Sequence, residues 1–156
     1  MKNYYIETSI PSFYFDTRTN NVRAQAMREW TREWWHLPKN NYSFFIGIPV
    51  IIELERTPEP KRTKCLQFVK DVQVLDYAEA IDEIIATYIH HKLMPKNEIG
   101  DAAHLAIASY YKCDFLVTWN CSHIANPNKF DHINRINTLL NLYTPKLVTP
   151  YQLLEE

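Results

Sequence analysis

Residues 97–118 of the chain read NEIGDAAHLAIASYYKCDFLVT and combine two elements of different kinds. The run from Ala102 to Ala108 is apolar on almost every side, which is typical of a buried helix. Residues 115–118 form a short and mostly apolar run of the length of a strand. The stretch therefore predicts a helix that is capped by Asn97 and reaches Tyr111, with a strand after it.

The same alternation of strand and helix continues toward both ends of the chain. The other predicted strands cover residues 2–6, 42–46, 72–75 and 147–148. The other predicted helices cover residues 21–36, 49–56, 61–70, 77–92 and 129–142, with a final turn at 152–155. The connections are too long for hairpins, and no internal repeat or domain boundary is visible. We therefore predict one α/β domain over residues 1–156, a three-layer α/β/α sandwich with a central parallel sheet.

The composition is that of a folded protein that works inside the cell. Of the 156 residues, 46% are hydrophobic and 22% are charged. No apolar run approaches the ~20 residues that span a bilayer, and the start has no signal-peptide pattern, so we expect a cytoplasmic protein. The three cysteines form no Cys-x-x-Cys pair and are best interpreted as free thiols. The net charge of −1 argues against a nonspecific nucleic-acid coat, but not against an enzyme whose metal ion supplies positive charge.

Acids and amides lie at places where this fold collects functional groups. In open parallel sheets these places are the carboxyl ends of strands. Glu7 follows the first strand, and Asn120 closely follows the strand at residues 115–118. Glu53 and Asp101 each border an apolar helical run. Converging carboxylates repel one another unless a cation neutralises them, and hard oxygen ligands select magnesium or manganese. A nucleic-acid substrate would need that cation, because the carboxylates alone repel phosphate.

Four motifs, taken in chain order, resemble those of the PIN-domain family. They are YIETS at residues 5–9, IIEL at 51–54, GDAAHLAIA at 100–108 and LVTWN at 116–120. The resemblance covers essentially the whole chain and is strongest to the VapC-type toxins of bacterial toxin–antitoxin pairs. It implies a metal-dependent ribonuclease that acts on RNA, forms a homodimer and is held inactive by a cognate antitoxin protein.

The resemblance also implies which residues form the site. Glu7 stands where the family has its first aspartate, Glu53 matches the family's glutamate, and Asp101 matches the acid that opens the late helix. Asn120 stands where a Thr-x-Asp motif places another aspartate. These four residues are the expected metal ligands and catalytic residues, with Mg²⁺ or Mn²⁺ as the cofactor. The hydroxyl that follows the first acid is matched by either Thr8 or Ser9.

Two departures from the family pattern leave alternatives open. Glutamate at position 7 is longer than aspartate by one methylene, and asparagine at position 120 removes a negative charge while keeping a carbonyl oxygen. A weakened PIN-like domain that binds RNA or a protein without cleavage is the first alternative. A small α/β signalling module is the second, although neither strand end has the aspartate that such a module phosphorylates.

Each candidate residue also has a purely structural interpretation. Asp101 could cap a helix that begins at Ala102. Asn120 could be only a turn former, and the two interpretations of it are equally supported. Glu98, three residues before Asp101, could be an outer acid of the site, but a solvated glutamate in the first helical turn is preferred. Because Glu55 is two residues from Glu53, one of the two must lie on the ordinary surface.

Other functional-looking side chains are assigned structural roles. His104 and His123 could orient a phosphate or a water molecule, but a lone histidine is more often structural, so both are interpreted as structural and not catalytic. The indoles in the second predicted helix favour packing, although they could stack RNA bases or line the groove for an antitoxin; they are Trp30, Trp34 and Trp35. Three cations are candidate phosphate contacts, with scattered surface charge as the default; they are Arg18, Arg23 and Lys39.

Overall fold

The computed structural model describes residues 1–38 and 41–154, without the side chain of Glu98. The predictions for Lys39, for the Glu98 side chain and for Glu155 lie outside this description. The strands are β1 (Lys2–Ile6), β2 (Tyr42–Gly47), β3 (Gln73–Leu75), β4 (Phe115–Val117) and β5 (Lys146–Val148). The helices are α1 (Ser9–Tyr14), α2 (Val22–Trp35), α3 (Ile48–Glu55), α4 (Lys61–Val69), α5 (Glu79–His90), α6 (Ile99–Tyr110), α7 (Pro127–Leu139) and α8 (Pro150–Leu154), with a 3-10 turn at Lys96–Glu98.

The strands form one parallel sheet in the order β3-β2-β1-β4-β5. The central strand β1 pairs on both sides, so that Tyr5 lies opposite Phe45 of β2 and Leu116 of β4. The chain first builds the sheet outward through β2 and β3, and then crosses to the other side of β1. This reversal makes the gap between β1 and β4 the switch point where open α/β sheets place their sites. The predicted α/β class with a central parallel sheet is confirmed.

The buried helix α6 packs close to the sheet beside β1. Residues 102–109 are all buried, and so are Tyr4, Tyr5 and Ile6 of β1. Gly47 lies where these elements meet, because a Cβ on it would come within 2.7 Å of Cδ1 of Ile107 and 3.0 Å of the Tyr5 hydroxyl oxygen. The fold thus needs a residue without a side chain at the end of β2, and this close packing holds the Tyr5 hydroxyl in place.

Several predicted boundaries differ from those of the structure, and three of the differences have a local reason. No helix was predicted between residues 6 and 21, but Ser9-Ile10-Pro11 opens α1, since proline is tolerated in a first helical turn. Helix α6 begins at Ile99, so Asn97 lies in the preceding 3-10 turn and does not cap the helix. Helix α7 begins two residues earlier than predicted, because the side chain of Asn126 accepts the backbone N–H of Asn128.

The indoles of α2 pack against other aromatic side chains of the same chain. Trp34 is 2% exposed and belongs to the core, and the ring of Trp35 lies 4.5 Å from that of Phe68. The Trp30 ring stacks 6.2 Å from that of Trp119. These contacts agree with the predicted packing role. Within residues 1–38 and 41–154, no helix is both long and apolar enough to cross a bilayer.

Candidate metal centre

Three side chains converge at the switch point of the sheet. Glu7 comes from the end of β1, Glu53 from the last turn of α3, and His104 from the buried part of α6. One ligand atom from each residue can be chosen so that all three lie within 4.8 Å of one another. We call Glu7, Glu53 and His104 the three-residue cluster. Two of its members were predicted as site residues, whereas His104 had been interpreted as structural.

Glu7 is held in one orientation by hydrogen bonds from two neighbouring residues. It is only 6% exposed. Its Oε1 accepts from the Ser9 backbone N–H (3.1 Å), the Ser9 hydroxyl (2.5 Å) and the Thr118 hydroxyl (2.6 Å). These bonds compensate for the burial of a charged group. Its Oε2 lies 3.8 Å from Nε2 of His104, so the second oxygen belongs to the cluster.

Glu53 is fixed by the hydroxyl of Thr8 and by the ring of His104. Its Oε1 accepts from the Thr8 hydroxyl (2.5 Å) and lies 2.6 Å from His104 Nε2. Burial raises the pKa of Glu53, but the hydrogen bond and charge of His104 and the bond from Thr8 outweigh it, so the pKa lies below its ordinary value. Glu55 is exposed, so it is the ordinary surface member of the pair.

The hydroxyls of Thr8 and Ser9, which follow Glu7 in the chain, each donate a hydrogen bond to a glutamate of the cluster. The sequence left Thr8 and Ser9 as alternatives for one role. Ser9 serves Glu7, and Thr8 serves Glu53 across the gap to α3. The turn after β1 thus orients both glutamates.

His104 is fully buried between a tyrosine and the two glutamates. Its Nδ1 lies 2.7 Å from the Tyr5 hydroxyl, and its Nε2 donates to Glu53. Burial lowers the pKa of His104, but the Glu53 hydrogen bond and the charges of Glu7, Glu53 and Asp101 together raise it above its ordinary value. Burial, together with the charge of Glu7, raises the pKa of Tyr5 well above its ordinary value, so this hydroxyl stays neutral. The ring of His104 thus has carboxylates on one side and a neutral hydroxyl on the other.

Asp101 lies beside the three-residue cluster on the same helix as His104. It is in the first turn of α6, and its charge contributes to the raised pKa of His104. Because α6 begins at Ile99, Asp101 does not cap a helix starting at Ala102, and that interpretation was wrong. Asp101 and Glu53 both line a groove of about 1050 Å³ between α3, α5 and α6.

Asn120 adopts the geometry expected of a turn former. Its side-chain Oδ1 accepts the backbone N–H of His123 (3.0 Å), and its own backbone N–H donates to the Thr118 hydroxyl (2.9 Å). The second bond connects this turn to Glu7, because the same Thr118 hydroxyl donates to Glu7. A role for Asn120 as a metal ligand stays a prediction.

Sequence reasoning missed His104 because it was judged as an isolated histidine. Asp101 and His104 are three residues apart, a spacing that places both side chains on one face of a helix. The sequence already carried this signal, since Asp101 was assigned to the site. The contact of the ring with Glu53, 51 positions away, depends on the tertiary packing of α3 against α6.

Comparison with known proteins bears on the fold. No family model matches the chain, and no curated protein matches it. It is similar to a chain of the crystal structure of VapBC2 from Rickettsia felis bound to a DNA fragment from their promoter, with 14% identity, a TM-score of 0.54, and 94% of this chain and 98% of that chain covered. It is also similar to a chain of the 2.2 Å structure of VapBC-1 from nontypeable Haemophilus influenzae, with 16% identity, a TM-score of 0.56, and 95% and 98% covered. The chain therefore has the VapC-like PIN fold that its four motifs implied.

Proposed function

We propose that the protein is a divalent-metal-dependent endoribonuclease and that residues 1–156 act as one PIN-like domain. The observation that carries this proposal is the convergence of Glu7, Glu53 and His104 at the switch point, with Asp101 beside them. Carboxylates so close together favour a bound divalent cation, and the resemblance to the PIN-domain motifs implies one at this place. Asn120 is retained as a further proposed ligand on the strength of the motif resemblance alone.

The donor set of the cluster fits a divalent cation. It offers hard carboxylate oxygens that suit magnesium and manganese, and one imidazole nitrogen that suits manganese better than magnesium. A metal-binding histidine usually donates its other N–H to a partner that fixes the ring, and the Tyr5 hydroxyl stands at that position. We therefore expect Mn²⁺ to support activity at lower concentration than Mg²⁺.

The residues of the chain prepare the site before any substrate arrives. Glu7 and Glu53 are held by three neighbouring hydroxyls and one backbone N–H, so little reorganisation is needed when an ion binds. A bound divalent cation supplies the positive charge that activates water and stabilises the phosphate in the transition state. Asp101 adds a further carboxylate to the lining of the groove beside the cluster.

The expected partners are proposals of the same kind. The two solved structures are VapBC complexes, which supports a cognate antitoxin as the partner of this chain. A homodimer and a cytoplasmic location follow from the motif resemblance and from the free thiols. The RNA substrate follows from the resemblance and from the need for a cation between carboxylates and phosphate.

Metal-dependent cutting of RNA by the purified protein tests this proposal. A mixed RNA pool is incubated with the protein in Mn²⁺, Mg²⁺ or EDTA, and Mn²⁺ binding is followed separately by the loss of the free-ion EPR signal. We expect cleavage with either ion and none in EDTA, together with saturable Mn²⁺ binding. A folded, inhibitor-free protein that binds no Mn²⁺ and cuts nothing would favour the binding-module alternative.

Alanine substitutions at the two glycines are expected to have different effects, one on metal binding and the other on the stability of the fold. A Cβ on Gly100 would lie 3.1 Å from Oε2 of Glu53 and so displaces this side chain. Gly100→Ala should leave the free energy of unfolding unchanged, or raise it by up to about 1 kcal/mol through helix propensity. The same change should weaken Mn²⁺ binding about tenfold. Gly47→Ala should instead destabilise the fold by about 1–3 kcal/mol, because its Cβ overlaps Ile107.

Urea unfolding and Mn²⁺ titration on both glycine variants check this pair. Loss of stability in Gly100→Ala, or unchanged Mn²⁺ affinity, would contradict the assignment of Gly100 to the site.

A further inference from the structure

A second cavity, lined by cations, lies next to the groove at the metal centre. Its volume is about 640 Å³, and its lining includes Lys92, Lys96 and Lys129 together with Ser122 and His123. Among its described lining residues there is no carboxylate. We call the three lysines with His123 the lysine cavity. In a chain with a net charge of −1, this is a local concentration of positive charge.

The lysines of the lysine cavity carry positive charge that no described carboxylate neutralises. Within the described part of the chain, none of the three lysines forms an ion pair with a carboxylate. The Lys129 ammonium donates to the backbone carbonyl of Leu93 (2.9 Å) and lies 3.5 Å from Nδ1 of His123. Lys92 and Lys96 are exposed. A charged amine held near a histidine nitrogen, with two further amines around it, suits an anionic ligand.

The lysine cavity is continuous with the groove that reaches the metal centre. Ile89 and Lys96 line both spaces. Glu53 and Asp101 line the groove, together with apolar side chains and with Arg56, Tyr77 and Asp82. The groove therefore connects the carboxylates of the metal centre with the lysines.

We propose that the lysine cavity binds a backbone phosphate of the RNA whose scissile phosphate lies at the metal centre. This inference rests on the proposed function and adds a second contact to its substrate. The cation at Glu7 and Glu53 neutralises one phosphate, and the lysines neutralise another. A phosphate contact of this kind contributes affinity without reading sequence.

Binding of labelled single-stranded RNA without divalent metal tests the lysine cavity. The double variant Lys96→Gln/Lys129→Gln is compared with the parent by fluorescence anisotropy in EDTA between about 0.05 and 0.3 M salt. Loss of this one phosphate contact should reduce the salt slope of log K by about 0.7. If the lysine contribution vanishes near 1 M salt, the same slope predicts that the double variant binds about fivefold more weakly at about 0.1 M.

Matched controls separate this site from general charge effects and from misfolding. Lys64→Gln/Lys70→Gln removes two exposed lysines of the α4 region and should leave the Kd within about twofold of that of the parent. Lys129 also contacts Leu93, so the single variant Lys96→Gln is measured as well, because Lys96 has no such contact within the described residues. It should weaken binding by more than the twofold allowed for the control pair.

Cleavage of the same RNA in Mn²⁺ distinguishes failure of this inference from failure of the proposed function. If the parent cleaves and the double variant keeps the parent's Kd and salt slope, the lysine cavity is overturned while the nuclease stands. If the parent binds RNA but does not cleave it, a weaker and less salt-dependent double variant still supports the cavity. Equal weakening by the control pair, or a parent that does not bind the RNA at low salt, overturns the inference.

Discussion

Replacement of Glu7 by glutamine is expected to reduce metal-dependent RNA cleavage at least about a hundredfold while leaving the fold intact. The amide oxygen of glutamine can still accept the bonds that Ser9 and Thr118 donate to Oε1. Its NH₂ group then takes the place of Oε2, which faces His104. The substitution thus removes one negative charge and one ligand oxygen without removing the contacts that position the side chain.

The neighbouring glutamates provide the matched comparison for this prediction. Glu53→Gln should cause a loss similar to that of Glu7→Gln, whereas Glu55→Gln, two residues further on at the exposed surface, should leave cleavage unchanged. Asp101→Asn should also abolish cleavage without unfolding the protein. Each variant is assayed for RNA cleavage in Mn²⁺, for Mn²⁺ binding and for its urea midpoint. A Glu7→Gln protein that cuts at the parent's rate would show that the three-residue cluster is not the catalytic centre.

The features that local sequence determines were predicted well. Strand β1 has the predicted bounds because its aromatic and β-branched residues end at a polar turn. The apolar run after Asp101 predicted a buried helix, and residues 102–109 are all buried in α6. The position of an acid after a strand was enough to bring Glu7 to the switch point, because the parallel topology fixes where strand ends lie.

The features that depend on tertiary contacts could not be predicted from the local sequence. Helix α1 forms from only six residues, and the burial of Ile10 and Pro11 overrides the weak local signal. The role of His104 becomes visible only when α6 packs against β1 and α3, which brings Tyr5 and Glu53 to opposite nitrogens of one ring. Sequence spacing could suggest that His104 shares a face with Asp101, but not which residues the ring would contact.

We expect His104 to act as an internal cation of the metal-free centre. The raised pKa of the histidine and the lowered pKa of Glu53 have the same origin, namely the bond between Nε2 and Oε1. Glu7 and Asp101 add further negative charge around the ring, while Tyr5 contributes none. Without a bound ion, the protonated histidine offsets part of the repulsion among the carboxylates. A divalent cation that binds the cluster would take over this role and release the proton.

His104→Gln is therefore expected to destabilise the metal-free protein by about 3 kcal/mol near pH 6, and by less as the pH rises. This is the lower end for a buried ion pair, because 36% of the Glu53 side chain is exposed. The folded pKa of His104 lies above its unfolded value of about 6.5, so its stabilisation is complete below that pH. The stabilisation is then lost as the pH rises through the folded pKa.

Urea midpoints of the parent and of His104→Gln, measured in EDTA from about pH 5.5 to 9, check this prediction. The lowered pKa of Glu53 affects only the acid side, where its stabilisation is lost as the pH falls below about 4.5, so it does not interfere in this range. Saturating Mn²⁺ should abolish the alkaline decline of the parent, because an ion that binds only the folded state stabilises it and replaces the imidazolium. Parallel curves for the two proteins in EDTA would show that His104 is uncharged in the folded state. In that case the cluster would keep its carboxylates apart without an internal cation, and a bound ion would have no proton to displace.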